Sequence, residues 1–123
     1  MNEPVDLSEA LAKFDEPFAP RIVGYYNGNK LQVAKVRGEF VWHSHPETDD
    51  FFYVVSGTLT IQLRDRDVEL GPGQVFVVPQ GVEHRPVSHA GAEILLIEPA
   101  GTPNTGDSGV EPSREVELEP RLR

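Results

Sequence analysis

The sequence predicts an all-β domain, and three observations support this prediction. Beyond residue 20 the chain consists of short segments rich in Val, Ile, Tyr and Phe, a composition typical of strands. Close-set turns separate them: "YYNGNK" contains an Asn-Gly hairpin signal, "RDRD" a polar reversal and "LGPGQ" a Gly-Pro-Gly corner. Helical periodicity is confined to the N-terminus, so a sandwich or small barrel is favoured over βαβ units.

One short helix is expected before the strands. Asp6 and Glu9 form a capping-box-like start, and Leu7, Leu11 and Phe14 fall on one helical stripe. Two prolines downstream end the helix. The predicted strands cover residues 21–26, 30–37, 39–45, 51–56, 58–64, 67–70, 75–79, 83–88 and 93–98.

These elements divide the chain into three parts. Residues 1–20 form the helix and a lead-in, residues 21–99 form the barrel, and residues 100–123 form an extended tail poor in large apolar side chains. The composition of the tail favours a flexible terminus. The alternative is an arm that lays Val110, Val116 and Leu118 along a neighbouring subunit.

Several strands are apolar at every position. "FFYVV", "VFVV" and "ILLI" show no alternation of polar and apolar residues, although an antiparallel sheet normally exposes one face to water. A chain of 123 residues has too few elements to cover both faces. We therefore expect a homodimer; the alternative is a small monomer with a few exposed Val and Phe side chains.

Composition limits the possible partners and location. The formal charge of −9 disfavours binding to nucleic acid or to an anionic membrane surface. The absence of cysteine leaves His, Asp, Glu and water as the possible ligands of a metal. The start "MNEPVDLSEA" has neither a basic segment nor an apolar run, so no signal peptide or membrane span is predicted and a cytoplasmic location is expected.

The stretch "VWHSHPETDDFF" predicts a metal site. In an extended strand, side chains at i and i+2 share a face about 6.6–6.8 Å apart, so His43 and His45 aim at one point while Ser44 points away. The turn that follows returns Asp49 or Asp50 beside them. With His84 from a distant strand, three nitrogens and one oxygen suit a divalent first-row metal.

Two parts of the chain resemble the two sequence motifs of the cupin family. The first motif is matched by Gly38, His43, His45, Asp50 and Gly57, and the second by Gly73, Pro79, Gly81, His84 and Ser88. The similarity spans about residues 20 to 100 and looks closest to small single-domain cupins described as mannose-6-phosphate isomerase-like.

The resemblance implies a double-stranded β-helix, the cupin or jelly-roll barrel, commonly dimeric and holding one divalent metal such as Fe, Mn, Ni or Zn. By position, the ligands would be His43, His45, Asp50 and His84. Asp50 stands where the family has Glu and is shorter by about 1.5 Å. Glu47 or water is therefore the alternative fourth ligand.

Such a site supports more than one function. The leading hypothesis is an enzyme acting on a small oxygenated molecule bound in the barrel, by dioxygenase chemistry or by isomerase or lyase chemistry through an enediolate. Glu47 and Asp49 at the rim are then the candidate general bases. The alternatives are a non-catalytic binding or sensing module and a barrel whose metal is only structural.

Overall fold

A computed structural model describes residues 3–122, apart from the side chain of Pro120. One helix and eight strands are assigned within this part of the chain. They are α1 Leu7–Leu11, β1 Arg21–Tyr26, β2 Asn29–Glu39, β3 Asp50–Gly57, β4 Leu59–Leu63, β5 Asp67–Leu70, β6 Val75–Val78, β7 His84–Pro99 and β8 Val116–Leu122. The all-β prediction is confirmed. No helix among the described residues is long and apolar enough to cross a membrane.

The helix begins where the sequence predicts. The Asp6 side chain accepts a hydrogen bond from the backbone N–H of Glu9 at 2.9 Å, which satisfies one of the unpaired donors of the first turn. Leu11 is buried, and Leu7 and Phe14 pack against the same apolar cluster. The helix ends at Leu11, earlier than the two prolines require.

Two predicted strand boundaries are wrong. The segments predicted at 83–88 and 93–98 form one long strand, β7, which bends where Gly91 adopts a φ of +103°. The segment predicted as a strand at 39–45 leaves the sheet after Glu39 and keeps a single isolated bridge between His43 and His84. Residues 43, 44 and 45 are all buried: His43 and His45 belong to one inward cluster, whereas Ser44 bonds Asp107 in the segment between β7 and β8.

Strand β7 organises the barrel because it pairs with three others. It runs antiparallel to β2 along most of its length, to β4 through His84–Val87 and to β3 through residues 92–97. Strand β6 continues the sheet beyond β3, and β5 continues it beyond β4. The inward side chains of these strands form the main core, which includes Val54, Leu59 and Ile61, all 0% exposed.

The outer face of the sheet is also apolar. Across β6, β3 and β7, Val77, Phe51 and Ile97 are cross-strand neighbours. Val75 of β6 and Tyr53 of β3 form the next pair. Helix α1 covers the neighbouring part of this face around Val33 and Leu95. Val75 and Val77 remain 52% and 43% exposed, so the elements of one chain leave the outer face of β6 uncovered.

The structure places the C-terminal segment on the barrel of its own chain. Strand β8 runs parallel to β1 and pairs Val116 with Arg21 and Leu122 with Gly24. Leu118 packs against the cluster under α1. The composition of this segment suggests a free tail, but the free edge of β1 offers backbone hydrogen-bonding partners that composition does not reveal.

A substitution at Gly24 tests the packing of β8. A Cβ at this position would lie 2.8 Å from the Leu122 carbonyl oxygen and 2.9 Å from its Cβ. We expect Gly24→Ala to displace β8 and to lower the free energy of unfolding by about 1–3 kcal/mol. Thermal or denaturant unfolding, with limited proteolysis of the C-terminal segment, measures both effects.

Gly71→Ala is the matched control, since the nearest heavy atom to its added Cβ lies 3.9 Å away. If Gly24→Ala leaves both stability and proteolysis as in the Gly71→Ala variant, β8 does not pair with β1 in solution.

Candidate metal centre

Four buried side chains converge at one end of the barrel. They are His43, His45, Asp50 and His84, and one potential ligand atom from each lies within 4.8 Å of all the others. Paired backbone hydrogen bonds between His43 and His84, at 3.0 and 2.9 Å, bring the two parts of the chain together. Asp50 and His84 are the first residues of β3 and β7. The structure thus brings together all four residues predicted as metal ligands.

Asp50 reaches the histidines despite its short side chain. Its Oδ2 lies 2.9 Å from His84 Nε2 and 3.2 Å from His45 Nε2. Glu47, the alternative fourth ligand, is exposed. Asp49 is also exposed, and its Oδ1 accepts a hydrogen bond from the Gln80 backbone N–H at 2.8 Å. Neither predicted general base belongs to the four-residue cluster.

Backbone carbonyls fix the orientation of two imidazole rings. His43 Nδ1 lies 2.9 Å from the Val41 carbonyl oxygen, and His84 Nδ1 lies 2.9 Å from the Val82 carbonyl oxygen. A carbonyl only accepts hydrogen bonds, so each Nδ1 carries the proton. In the neutral tautomer the Nε2 atoms then present lone pairs. At His84 this lone pair faces the carboxylate oxygen of Asp50.

Two electron-rich atoms at 2.9 Å repel each other unless a positive charge lies between them. A proton or a cation therefore has to neutralise the His84 Nε2 and Asp50 Oδ2 pair. Both residues are at most 5% exposed, so water cannot screen the repulsion effectively. Deep burial, three nitrogen donors and one carboxylate oxygen are the donor set of a first-row divalent metal.

In the metal-free protein, burial and hydrogen bonding act in opposite directions on the cluster. Burial is the main cause that lowers the pKa of His43 to about 4. Burial alone would raise the pKa of Asp50, but hydrogen bonds from His45 and His84 outweigh it and hold this pKa at about 2. Burial likewise lowers the pKa of His45, yet the Asp50 carboxylate outweighs it, and the net shift is upward.

An apolar inner cavity adjoins the cluster. His43, His45 and Asp50 line it together with aromatic and aliphatic side chains from β2, β3 and β7. Phe18 stacks on Phe40 with ring centroids 5.0 Å apart, and Phe40 meets the edge of His43 at 5.5 Å. The volume of this cavity is about 50 Å³, which suits a few atoms rather than a large ligand.

A wider recess of about 460 Å³ lies outside the cluster and shares His45 with the inner cavity. The loop after β7 forms one wall. Asp107 accepts hydrogen bonds from the backbone N–H and the hydroxyl of Ser44, at 2.7 and 2.8 Å. Gly106 lies so close that a Cβ would be 2.2 Å from the Ser44 carbonyl oxygen. Ser44 therefore points away from the cluster, as the alternation predicts, and anchors the loop.

Sequence reasoning missed two buried charged residues in the barrel. Glu98 is 4% and Lys30 2% exposed, and their charged atoms lie 3.6 Å apart. Period-two alternation could have found Glu98, because it follows Ile94 and Leu96 on the inward face of β7. An acid at an inward position of an apolar strand requires a partner or a function.

Comparison with known proteins identifies the family. The model of the cupin domain matches residues 30–98, more than half of the chain, and this range contains all four clustered residues. The chain is a cupin. A crystal structure of a cupin-2 domain protein from Shewanella frigidimarina is 38% identical, has a TM-score of 0.76, and matches over 77% of this chain and 93% of that one.

Two kinds of curated protein are also similar to this cupin. Uncharacterized protein YdbB from Bacillus subtilis is 31% identical over 83 residues, which are 58% of this chain and 74% of that protein. A 3-hydroxyanthranilate 3,4-dioxygenase from Xanthomonas euvesicatoria is 30% identical over 69 residues, 53% of this chain. One from Meyerozyma guilliermondii is 23% identical over 103 residues, 78% of this chain. The cupin spans 39% and 61% of these two dioxygenases.

The pH dependence of stability tests the environment of Glu98. Burial, followed by the charge of Asp50, raises the pKa of Glu98 from 4.5 to about 7. A raised carboxyl pKa means that the folded protein binds the proton more tightly. The resulting stability is complete below about pH 4.5 and is lost as the pH rises through 7. We expect this loss to reach up to about 3 kcal/mol between pH 4.5 and 8 in the metal-free cupin.

Glu98→Gln should remove this loss, so the difference in unfolding free energy between variant and wild type should grow with pH. Urea unfolding at several pH values measures it, with chelator present. Glu69→Gln, which removes an exposed carboxylate of β5, is the control. Parallel stability profiles for wild type and Glu98→Gln would contradict the prediction.

Proposed function

We propose that this cupin binds one divalent metal, of the group Fe, Mn, Ni and Zn, through His43, His45, Asp50 and His84, and acts on a small oxygenated molecule. The observation that carries the proposal is the contact of His84 Nε2 with Asp50 Oδ2 at 2.9 Å, while His84 Nδ1 is committed to a carbonyl. A cation placed among the four groups removes the repulsion between two buried acceptors. The family match and the burial of all four residues support the same proposal.

The bound metal would supply Lewis acidity and open coordination positions for an oxygen ligand. The residues of this chain supply the rest. Val41 and Val82 orient the rings of His43 and His84 through their carbonyl oxygens. Phe18, Phe40 and the aliphatic side chains give the inner cavity a mainly apolar lining, which strengthens electrostatic interactions there.

The charges around the cavity favour an uncharged ligand over a phosphate or a carboxylate. Among the described lining residues the one cationic side chain is Lys35, and its amine lies near Asp15 and Glu93 at 3.8 and 3.7 Å. Arg64 and Arg85 stack on Trp42 and pair with acidic side chains elsewhere. This arrangement weighs against the sugar-phosphate isomerase activity suggested by the subgroup name.

Dioxygenase chemistry is the reaction class that we favour. Its support is the similarity to proteins named 3-hydroxyanthranilate 3,4-dioxygenase, together with an aromatic wall beside the clustered histidines. Isomerase or lyase chemistry through an enediolate uses the same ligands and remains the alternative within the enzyme class. A cytoplasmic location remains a prediction from the sequence.

A second candidate function is a passive module that binds a small molecule or holds a structural metal. The exposed positions of Glu47 and Asp49 favour it, because neither predicted base belongs to the buried cluster. Asp49 is also engaged with the Gln80 backbone. An enzyme would therefore need a different proton acceptor within the cavity.

Removing one histidine tests the metal proposal. We expect His84→Ala to lose most of the bound metal, since it removes a nitrogen ligand and leaves Asp50 buried without its closest partner. Elemental analysis of untagged protein after dialysis against limiting metal measures the occupancy. His89→Ala is the matched control, because His89 is exposed on β7 and lies outside the cluster.

Variants at Asp50 examine the fourth ligand. Asp50→Asn keeps the size of the side chain but removes its charge, and we expect weaker metal binding with unchanged folding. Equal metal occupancy in wild type, His84→Ala and His89→Ala would refute the proposed site. If Asp50→Asn binds as much metal as wild type while His84→Ala loses it, the site has three histidine ligands and Asp50 is not a ligand.

We also propose that the cupin forms a homodimer through the outer face of β3, β6 and β7. Val75 and Val77 are exposed at the edge of an apolar surface that continues through Phe51, Tyr53 and Ile97. Helix α1 covers a different part of this face. A second copy of the chain would bury the uncovered part, and such an isologous contact is the commonest form of oligomer.

Sedimentation should show a dimer at micromolar concentration. Val77→Glu should convert it to a monomer, because the contact would bury an unpaired charge. Val110→Glu is the control, since Val110 has a similar exposure of 49% but lies in the C-terminal segment. A monomeric wild type, or a Val77→Glu variant that stays dimeric, would contradict the proposal.

A further inference from the structure

We propose that Glu98 is the proton-accepting residue of the inner cavity and that it selects ligands bearing a hydroxyl group. The inference deepens the proposed function and rests on it. Glu47 and Asp49 lie on the surface, so the cavity needs another residue that can accept a proton. The ligand is then a small, uncharged molecule with an acidic O–H.

Glu98 lies in the wall of the inner cavity. It lines the same cavity as His45 and Asp50. Glu98 is near the C-terminal end of β7, whereas His84 is the first residue of that strand. The carboxyl group is 4% exposed. No hydrogen bond or ion pair among the described residues joins Glu98 to the four clustered side chains. A metal in the cluster would therefore leave Glu98 available to a ligand in the cavity.

The charged partner of Glu98 is Lys30. Lys30 faces Glu98 across the β2–β7 pair, with Nζ 3.6 Å from Oε1. The same ammonium lies closer to Glu115 Oε1, at 2.6 Å, and donates to the Thr102 carbonyl oxygen at 2.8 Å. Lys30 is thus engaged mainly by the C-terminal segment. Glu98 keeps a charged neighbour but retains capacity to accept a further hydrogen bond.

The charges that face Glu98 make it favour a ligand that donates a hydroxyl proton. Lys30 approaches from β2, Asp50 from β3 and His45 from the segment before β3. The negative charge of Asp50 and the apolar wall make an ionised Glu98 costly. A ligand hydroxyl relieves this cost by donating its hydrogen to the carboxylate. A ligand carboxylate or phosphate would add a third negative group and would be rejected.

The proton transfer is balanced without another reactant. The ligand O–H bond breaks, its electron pair stays on the ligand oxygen, and the proton forms an O–H bond with Glu98. The ligand oxygen gains a negative charge and Glu98 loses one. The net charge of the cavity is unchanged, which matters in a poorly solvated site.

Counting protons tests the inference without knowledge of the natural substrate. Cobalt-loaded protein is titrated at pH 8 with acetohydroxamic acid, a small hydroxyl ligand that loses one proton when it binds a metal. Calorimetry in buffers of different ionisation enthalpy gives the protons released to solvent. We expect Glu98→Gln to release about one proton more per bound probe than wild type, because the amide cannot accept it.

Two controls isolate the carboxylate inside the cavity. Glu69→Gln removes an exposed carboxylate of β5 that is not among the described residues lining the cavity, and it should release the same number of protons as wild type. The O-methyl derivative of the probe has no hydroxyl proton and cannot form the hydroxamate chelate, so it should bind weakly and show no difference in proton release between the variants. Circular dichroism and the cobalt content verify that Glu98→Gln folds and keeps the metal.

The outcomes separate the inference from the proposed function. Failure of wild type to take up cobalt would refute the metal site itself. Normal cobalt binding with equal proton release in wild type and Glu98→Gln would overturn the role of Glu98. So would failure of acetohydroxamic acid to bind the cobalt-loaded wild type, or an equal change in proton release in Glu69→Gln.

Discussion

The arrangement of the barrel end depends on one electrostatic constraint: lone pairs of four buried side chains converge there. Carbonyl oxygens of Val41 and Val82 hold the Nδ1 protons of His43 and His84, so the opposite nitrogens face inward with Asp50. A fold that fixes these rings must receive a cation or protons among them. The bridge between His43 and His84 makes this geometry a property of the backbone rather than of flexible side chains.

The C-terminal segment contributes to the same end of the barrel from outside. Asp107 holds Ser44, the residue between the two clustered histidines, and Glu115 and Thr102 hold Lys30. The hydrogen bonds of one segment thus reach both the residue between two clustered histidines and Lys30, the partner of Glu98. The recess beside His45 is consequently bordered by this loop.

The charge distribution restricts the chemistry more than the fold does. Cupin barrels as such do not define a reaction. Here the cationic groups near the cavity are paired with acids, while Asp50 and Glu98 place two carboxylates at its surface. An uncharged molecule with a hydroxyl proton satisfies these groups, whereas an anion opposes them. The apolar wall adds a requirement for small size.

The all-β architecture, the cap of α1 at Asp6 and the pairing of His43 with His45 could be predicted from the sequence, because turn chemistry and the His-x-His spacing act over a few neighbouring residues. The assignment of His84 and Asp50 as ligands rested on the resemblance to the cupin motifs, with Glu47 left as an alternative to Asp50. The sequence did not determine the bend of β7, the packing of β8 or the pairing of Lys30 with Glu98. These depend on contacts between residues far apart in the chain, such as Arg21 with Val116. That Glu47 and Asp49 lie outside while Glu98 lies inside became clear from the folded chain, because burial follows from how strands pair and local composition does not record it.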